Sequence, residues 1–169
     1  YEEEDPGFFV GVSGTRDNKW IMISIHDHET SEYRLIPADD PLATPRLVSE
    51  RIAERQYDLE EGGDVFFILT NADGAKDFKI MTAPVADRSP SNWTELVPHE
   101  AGRLILSVIG FKDFVVRLER KDSLPRIVVR ERSSGAEHAI SFDEEAFSLG
   151  LAGSYEYDTD TIRFSYSSM

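Results

Sequence analysis

FFVGVSG (residues 8–14), followed after a polar turn by KWIMISI (residues 19–25), decides the fold. In the second segment Ile21, Ile23 and Ile25 alternate with Trp20, Met22 and Ser24, the period of a strand whose two faces are both apolar. The pair recurs. YDLEEGG begins at Tyr57, LILSVIG at Leu104 and FSLGLAG at Phe147, and each carries a glycine six residues after its first residue, as Phe8 does with Gly14. The start-to-start spacings are 49, 47 and 43 residues.

A strongly apolar second strand follows each: DVFFILT (64–70), DFVVRLE (113–119) and TIRFSYS (161–167). The first three units add a third strand, SEYRLIP (31–37), DFKIMTA (77–83) and LPRIVVRE (124–131). They also add a fourth, PRLVSE (45–50), NWTELVP (92–98) and EHAISF (137–142). Four antiparallel strands every 40 to 50 residues is the period of a β-propeller blade, stacked face to face on its neighbours. The expected fold is therefore all-β, a partial propeller of about three and a half four-stranded blades, at approximately 8–50, 57–98, 104–142 and a half blade at 147–169. A single domain is expected from this length. Gly11, Ser13, Gly62, Ser107 and Gly150 fall in the first strands, where a crowded axis would favour small residues. SERIAER (49–55) is the one candidate for a short helical turn. An arc of blades would leave strand edges and apolar faces uncovered, so the isolated piece is expected to self-associate.

Composition narrows the function. The formal charge is −14, from 18 basic and 32 acidic side chains, a field that repels phosphate backbones and attracts cationic peptides. Nucleic acid is not an expected partner. The start YEEEDPGFF has neither a basic nor an apolar targeting segment, and no run is long enough to span a bilayer, so no membrane partner is expected. Cysteine is absent, which removes disulfides, thiolate metal sites and a cysteine nucleophile and fits a cytoplasmic location.

The search for chemistry returns little. VGVSGTRD approaches the nucleophile-elbow pattern around Ser13 but has Thr15 where the last glycine belongs. His26 and His28 have the spacing of a metal pair but no third ligand, and His99 and His138 have no partner nearby in sequence. The acidic groups at 2–5, 38–40, 60–61, 143–145 and 158–160, and the turn NADGAKD (71–77), fit no calcium loop and read as solvated surface. Ser167, Ser168 and Tyr166 read as a strand end. No catalytic, cofactor-binding or metal residue is assigned, and no cofactor is expected.

YEEEDPGFFVGVSGTRDNKW, SEYRLIPADDP with the following PRL, ILTNADGAKDFKI and YDTDTIRFSYSSM together resemble the propeller of the prolyl oligopeptidase family of serine peptidases. The likeness is nearest to its oligopeptidase B, or protease II, branch. The resemblance implies a seven-bladed ring over an α/β-hydrolase domain that carries a Ser, Asp and His triad. It also implies hydrolysis of short peptides after Lys or Arg, with the propeller gating access. The fragment alone would then be inactive, with the hydrolase domain of the same chain and short basic peptides as its partners. The alternative is a stand-alone acidic binding module for a cationic peptide or calcium.

Overall fold

The structure, a computed structural model, describes residues 1–142, 147–153 and 156–168. Three four-stranded antiparallel sheets and one two-stranded sheet follow one another along the chain. The first holds β1 (Phe9–Gly14), β2 (Trp20–His26), β3 (Ser31–Pro37) and β4 (Arg46–Leu47). The second holds β5 (Tyr57–Gly62), β6 (Val65–Thr70), β7 (Lys79–Pro84) and β8 (Thr94–Val97). The third holds β9 (Arg103–Gly110), β10 (Phe114–Lys121), β11 (Leu124–Glu131) and β12 (Glu137–Ala139), and the last pairs β13 (Phe147–Leu151) with β14 (Phe164–Ser168). Strand order within each sheet is sequence order, so each is a meander whose first strand lies on one edge. This is a partial β-propeller.

Alternation on the second strands produces the stacking. Phe66 and Ile68 of β6 turn to the first blade and pack with Leu35, Val48, Tyr57 and Leu59, while Phe67 and Leu69 turn to the third and meet Ile105, Val108 and Val115. Both faces of β6 are therefore core. On β10, Val116 faces the other way from Val115 and packs, with Phe111 and Ile127, against Leu149, Leu151 and Phe164 of the last sheet. Burying a side chain such as Phe66 is worth roughly 1.5–3 kcal/mol, which is how successive blades cohere without a shared central core. On β2, Trp20 and Met22 pack toward the second blade, and Ile23 and Ile25 are buried on the opposite face.

Several expectations are corrected. The fourth strands are shorter than the sequence pattern suggests, Arg46–Leu47, Thr94–Val97 and Glu137–Ala139; Pro45 and Pro98, which supply no amide to a ladder, lie just outside the first two. In the half blade the second strand starts at Phe164 rather than Thr161. The stretch 49–55 is not helical. It carries the chain from the outer edge of one blade to the inner edge of the next, its backbone tied to the first blade by Ser31 N–H to the Arg55 carbonyl (3.2 Å) and Glu54 N–H to Thr30 Oγ1 (3.2 Å). Among the described residues the only helical segments are 3-10 turns at Ala72–Gly74 and Pro90–Asn92.

Two of the small first-strand residues, Gly11 and Gly150, are crowded by the strand beside them. A Cβ on Gly11 would meet Ser24 Oγ at 2.8 Å and one on Gly150 would meet Ser165 Oγ at 3.0 Å, and both serines are direct cross-strand partners. The crowding at these two positions comes from the neighbouring strand of the same sheet. Of the four equivalent glycines only Gly63 has a positive φ, +78°, and turns the β5–β6 hairpin.

Candidate functional site

Near the C-terminal ends of β5 and β9, polar groups join the first three blades. Arg16, in the β1–β2 turn, reaches across the end of β5. Its backbone N–H donates to Glu61 Oε1 at 2.7 Å and its Nε lies 2.8 Å from the same oxygen. Its Nη2 bonds Glu60 Oε1 and, at 2.5 Å, the carbonyl of Gly110 in the third blade. The Gly110 N–H in turn donates to Glu60 Oε1 at 3.1 Å, and the guanidinium lies over the Phe111 ring at 5.3 Å. One arginine thus fastens three blades.

Glu60 and Glu61 are not the solvated surface expected of an acidic pair: Glu61 is 3% exposed and Glu60 is largely covered. Adjacent strand residues point to opposite faces, so the pair flanks β5 and one cation serves both. Burial, followed by the neighbouring charge of Glu61, pushes the Glu60 carboxyl up to about 7, against the opposing pull of Arg16 and the Gly110 N–H.

Arg132, from the β11–β12 turn, makes the matching clasp. It donates to the carbonyls of Gly62 (2.8 Å), Phe111 (3.1 Å) and Lys112 (2.9 Å), and to the Tyr157 hydroxyl (3.3 Å). A third tie is Tyr57: its hydroxyl donates to the Ser49 carbonyl at 3.0 Å and accepts from the Tyr33 N–H at 2.8 Å, and burial pushes it up to about 12. Neither arginine carried a signal in the sequence, because the contacts span 44 to 94 residues for Arg16 and up to 70 for Arg132.

The residues singled out for chemistry lie apart. Ser13 is exposed on β1 opposite Met22, and His26 pairs with Phe9 at the other end of that hairpin. His26 ends β2 and His28 sits in the following turn, so the two do not share a strand face as their spacing suggested. Both line a cleft of about 260 Å³ with Tyr33 and Asp58. His99 lies 3.7 Å from Asp77, a partner distant in sequence, and His138 is on β12 at the rim of an apolar cleft of about 270 Å³. Glu3 bonds Arg51, Asp73 accepts from Lys79 Nζ at 2.9 Å, and Asp158 accepts from Lys112 Nζ at 2.8 Å. The acidic group 143–145 lies outside the described residues. Ser167, Ser168 and Tyr166 lie on β14. Among the described residues no three His, Asp or Glu gather as a metal site, and no helix is long and apolar enough to cross a membrane. The arrangement is a wall held by inter-blade ties.

Comparison with known proteins matches residues 1–169 to the family model described as prolyl oligopeptidase, N-terminal β-propeller domain. The chain is 37% identical to dipeptidyl aminopeptidase BI of Pseudoxanthomonas mexicana over 169 residues, all of this chain and 23% of that protein. It is 30% identical to protease 2 of Moraxella lacunata, covering all of this chain and 24% of the relative. Among solved structures it superposes on oligopeptidase B from Trypanosoma brucei, in a closed form with covalently bound antipain, with a TM-score of 0.92 at 30% identity. Oligopeptidase B from Leishmania major gives 0.91 at 27% identity; each match covers all of this chain and 25% of the other. The chain spans about a quarter of the length of these relatives.

Proposed function

Because this chain belongs to the prolyl oligopeptidase family, within the N-terminal β-propeller, we propose that it is part of the gating wall of a serine oligopeptidase that cleaves short peptides after Lys or Arg. The observation that carries the reading is the whole-chain likeness to oligopeptidase B at a TM-score of 0.92. In it, an α/β-hydrolase domain elsewhere in the same protein supplies the nucleophile and its proton carriers, and the propeller excludes large substrates. The blades suit that role. Their apolar stacking and the Arg16 and Arg132 clasps make a stiff barrier. The charge of −14 favours approach of cationic peptides over anionic ones. A cytoplasmic setting belongs to the proposal, on the absence of cysteine.

In the isolated piece, Val10 and Val12, 48% and 72% exposed on one face of β1, give it an apolar surface through which we expect it to self-associate. Sedimentation of the isolated piece as a monomer across a wide concentration range would contradict that.

The 37% identity to a dipeptidyl aminopeptidase favours a second reading, removal of dipeptides from a free N-terminus on the same scaffold. Purified full-length protein incubated with short peptides decides between them. Cleavage after internal Lys or Arg, insensitive to N-terminal acetylation, supports the endopeptidase. Stepwise release of dipeptides that acetylation abolishes supports the aminopeptidase, and no hydrolysis of either set counts against both.

A further inference from the structure

We propose that the junction of Glu60 with Arg16, Glu61 and Gly110 is a proton-operated latch between the first three blades, closed when Glu60 is protonated and loosened when it ionises. Two carboxylates here face one guanidinium. Glu61 keeps that cation through both Arg16 Nε and the Arg16 backbone N–H whatever the state of Glu60. With Glu60 protonated the cluster is neutral; with Glu60 ionised it holds one uncompensated negative charge where the Glu60 and Glu61 side chains are only 21% and 4% exposed.

The groups around Glu60 do not supply the missing charge. From its own strand come Glu61 and, farther along, Asp58, which accepts from the Tyr33 hydroxyl at 2.9 Å. From the first blade come Arg16 and the Tyr33 phenol, whose proton is held more tightly by burial and by the charges of Asp58 and Glu60. The third blade offers the Gly110 N–H, the Phe111 ring and Arg132, and Arg132 directs its donors to the carbonyls of Gly62, Phe111 and Lys112, to the Tyr157 hydroxyl and to Asp64 Oδ1 at 3.4 Å. Arg16 touches both carboxylates, Nε on Glu61 and Nη2 on Glu60, but brings one positive charge against two negative ones, and its Nη1 is buried without a hydrogen-bond partner.

The sign follows from linkage. A carboxyl whose folded value lies above its unfolded one contributes stability below the unfolded value, and that contribution is lost as pH rises through the folded value. For Glu60 the window runs from 4.5 to about 7. The opening it controls is local, since its neighbours Glu61 and Gly110 are where the inner strands β5 and β9 touch.

Hydrogen exchange on the full-length protein tests this, reading the peptide that spans β9 and Phe111, with β7 as the control. After correction for intrinsic exchange, protection around Gly110 is expected to fall about tenfold between about pH 6 and about pH 8 in the wild type. It should be flat in Glu60→Gln, with β7 unaffected in both. A wild-type response that is flat, or one that Glu60→Gln reproduces, overturns the proposal. Should the variant fail to fold, the wild-type infrared titration decides: a buried carboxyl C=O band disappearing near neutrality supports the latch, and its absence overturns it. Because the readout is structural, the outcome is independent of which peptides the enzyme cleaves.

Discussion

A Cβ built on Gly110 would lie 2.1 Å from the carbonyl oxygen of Glu61, so the backbones of β9 and β5 meet with no side chain between them. The same Cβ would be 2.9 Å from the Phe67 ring, which is 2% exposed and packed between blades. Gly110→Ala must therefore push the second and third blades away from each other. It is expected to destabilise by about 2–3 kcal/mol or more, from overpacking a well-filled interface. The urea midpoint checks this; an unchanged midpoint would mean that the blades do not approach as described.

Glu119, fully buried on β10, pairs with Arg117 at 2.8 Å and also with Arg126, while Arg103 lies 3.8 Å away. Glu119→Leu strands buried guanidinium groups, and about 3 kcal/mol of destabilisation is expected from breaking a buried ion pair on one side. Arg117 retains Glu137 at 2.9 Å as its remaining carboxylate, so the additional change Glu137→Gln should cost more in the Glu119→Leu background than in the wild type. Denaturation of the double-mutant cycle measures it.

Tyr57→Phe removes one hydroxyl that both donates and accepts. The Ser49 carbonyl and the Tyr33 N–H lose their partner together, and a loss of about 1–3 kcal/mol is expected for leaving buried groups unsatisfied. Thermal denaturation reads it, and because the ring stays, no cavity term enters.

Glu3 is held down to about 2, chiefly by its hydrogen bond from Arg51 and next by the Tyr1 hydroxyl. A carboxyl with a lowered folded value contributes stability above its unfolded value, and that contribution disappears as pH falls through the folded one. Wild type should therefore be more stable than Glu3→Gln at neutral pH, and the difference should close between 4.5 and about 2. A difference that stays constant over this range would assign the effect to packing of residues 1–8 on the first blade, where the Phe8 ring lies under Arg51 at 4.1 Å.

If the acidic field of this wall steers substrate, kcat/KM of the full-length protein for dibasic peptides should fall with ionic strength while that for neutral peptides holds. Equal falls for both would exclude steering.

Most of the strand pattern was legible because it rests on local alternation. SEYRLIP and LPRIVVRE coincide with β3 and β11, residue for residue, and the apolar run at 65–69 gives both faces of β6. Strand ends were less legible, since an outer strand persists only where its amides find a partner: at β4 the ladder is the pairs Arg34 with Leu47 and Leu35 with Arg46. The inter-blade junction was not legible at all. Nothing local distinguishes Arg16 in a polar turn, or Glu60 and Glu61 in an acidic chain, from surface charge; their roles come from Gly110, which stacking brings beside them. The same holds for His99, whose partner Asp77 is supplied by the neighbouring loop.

The measurement that tests the central claim most directly is hydrolysis, by the full-length protein, of one Arg-containing cleavage sequence presented twice: as a short peptide and within a long unfolded polypeptide. A gating wall predicts rapid cleavage of the short peptide after arginine and little cleavage of the same bond in the long chain. Equal cleavage of both would contradict the account, because a wall of stacked blades that admits any unfolded chain is not a gate.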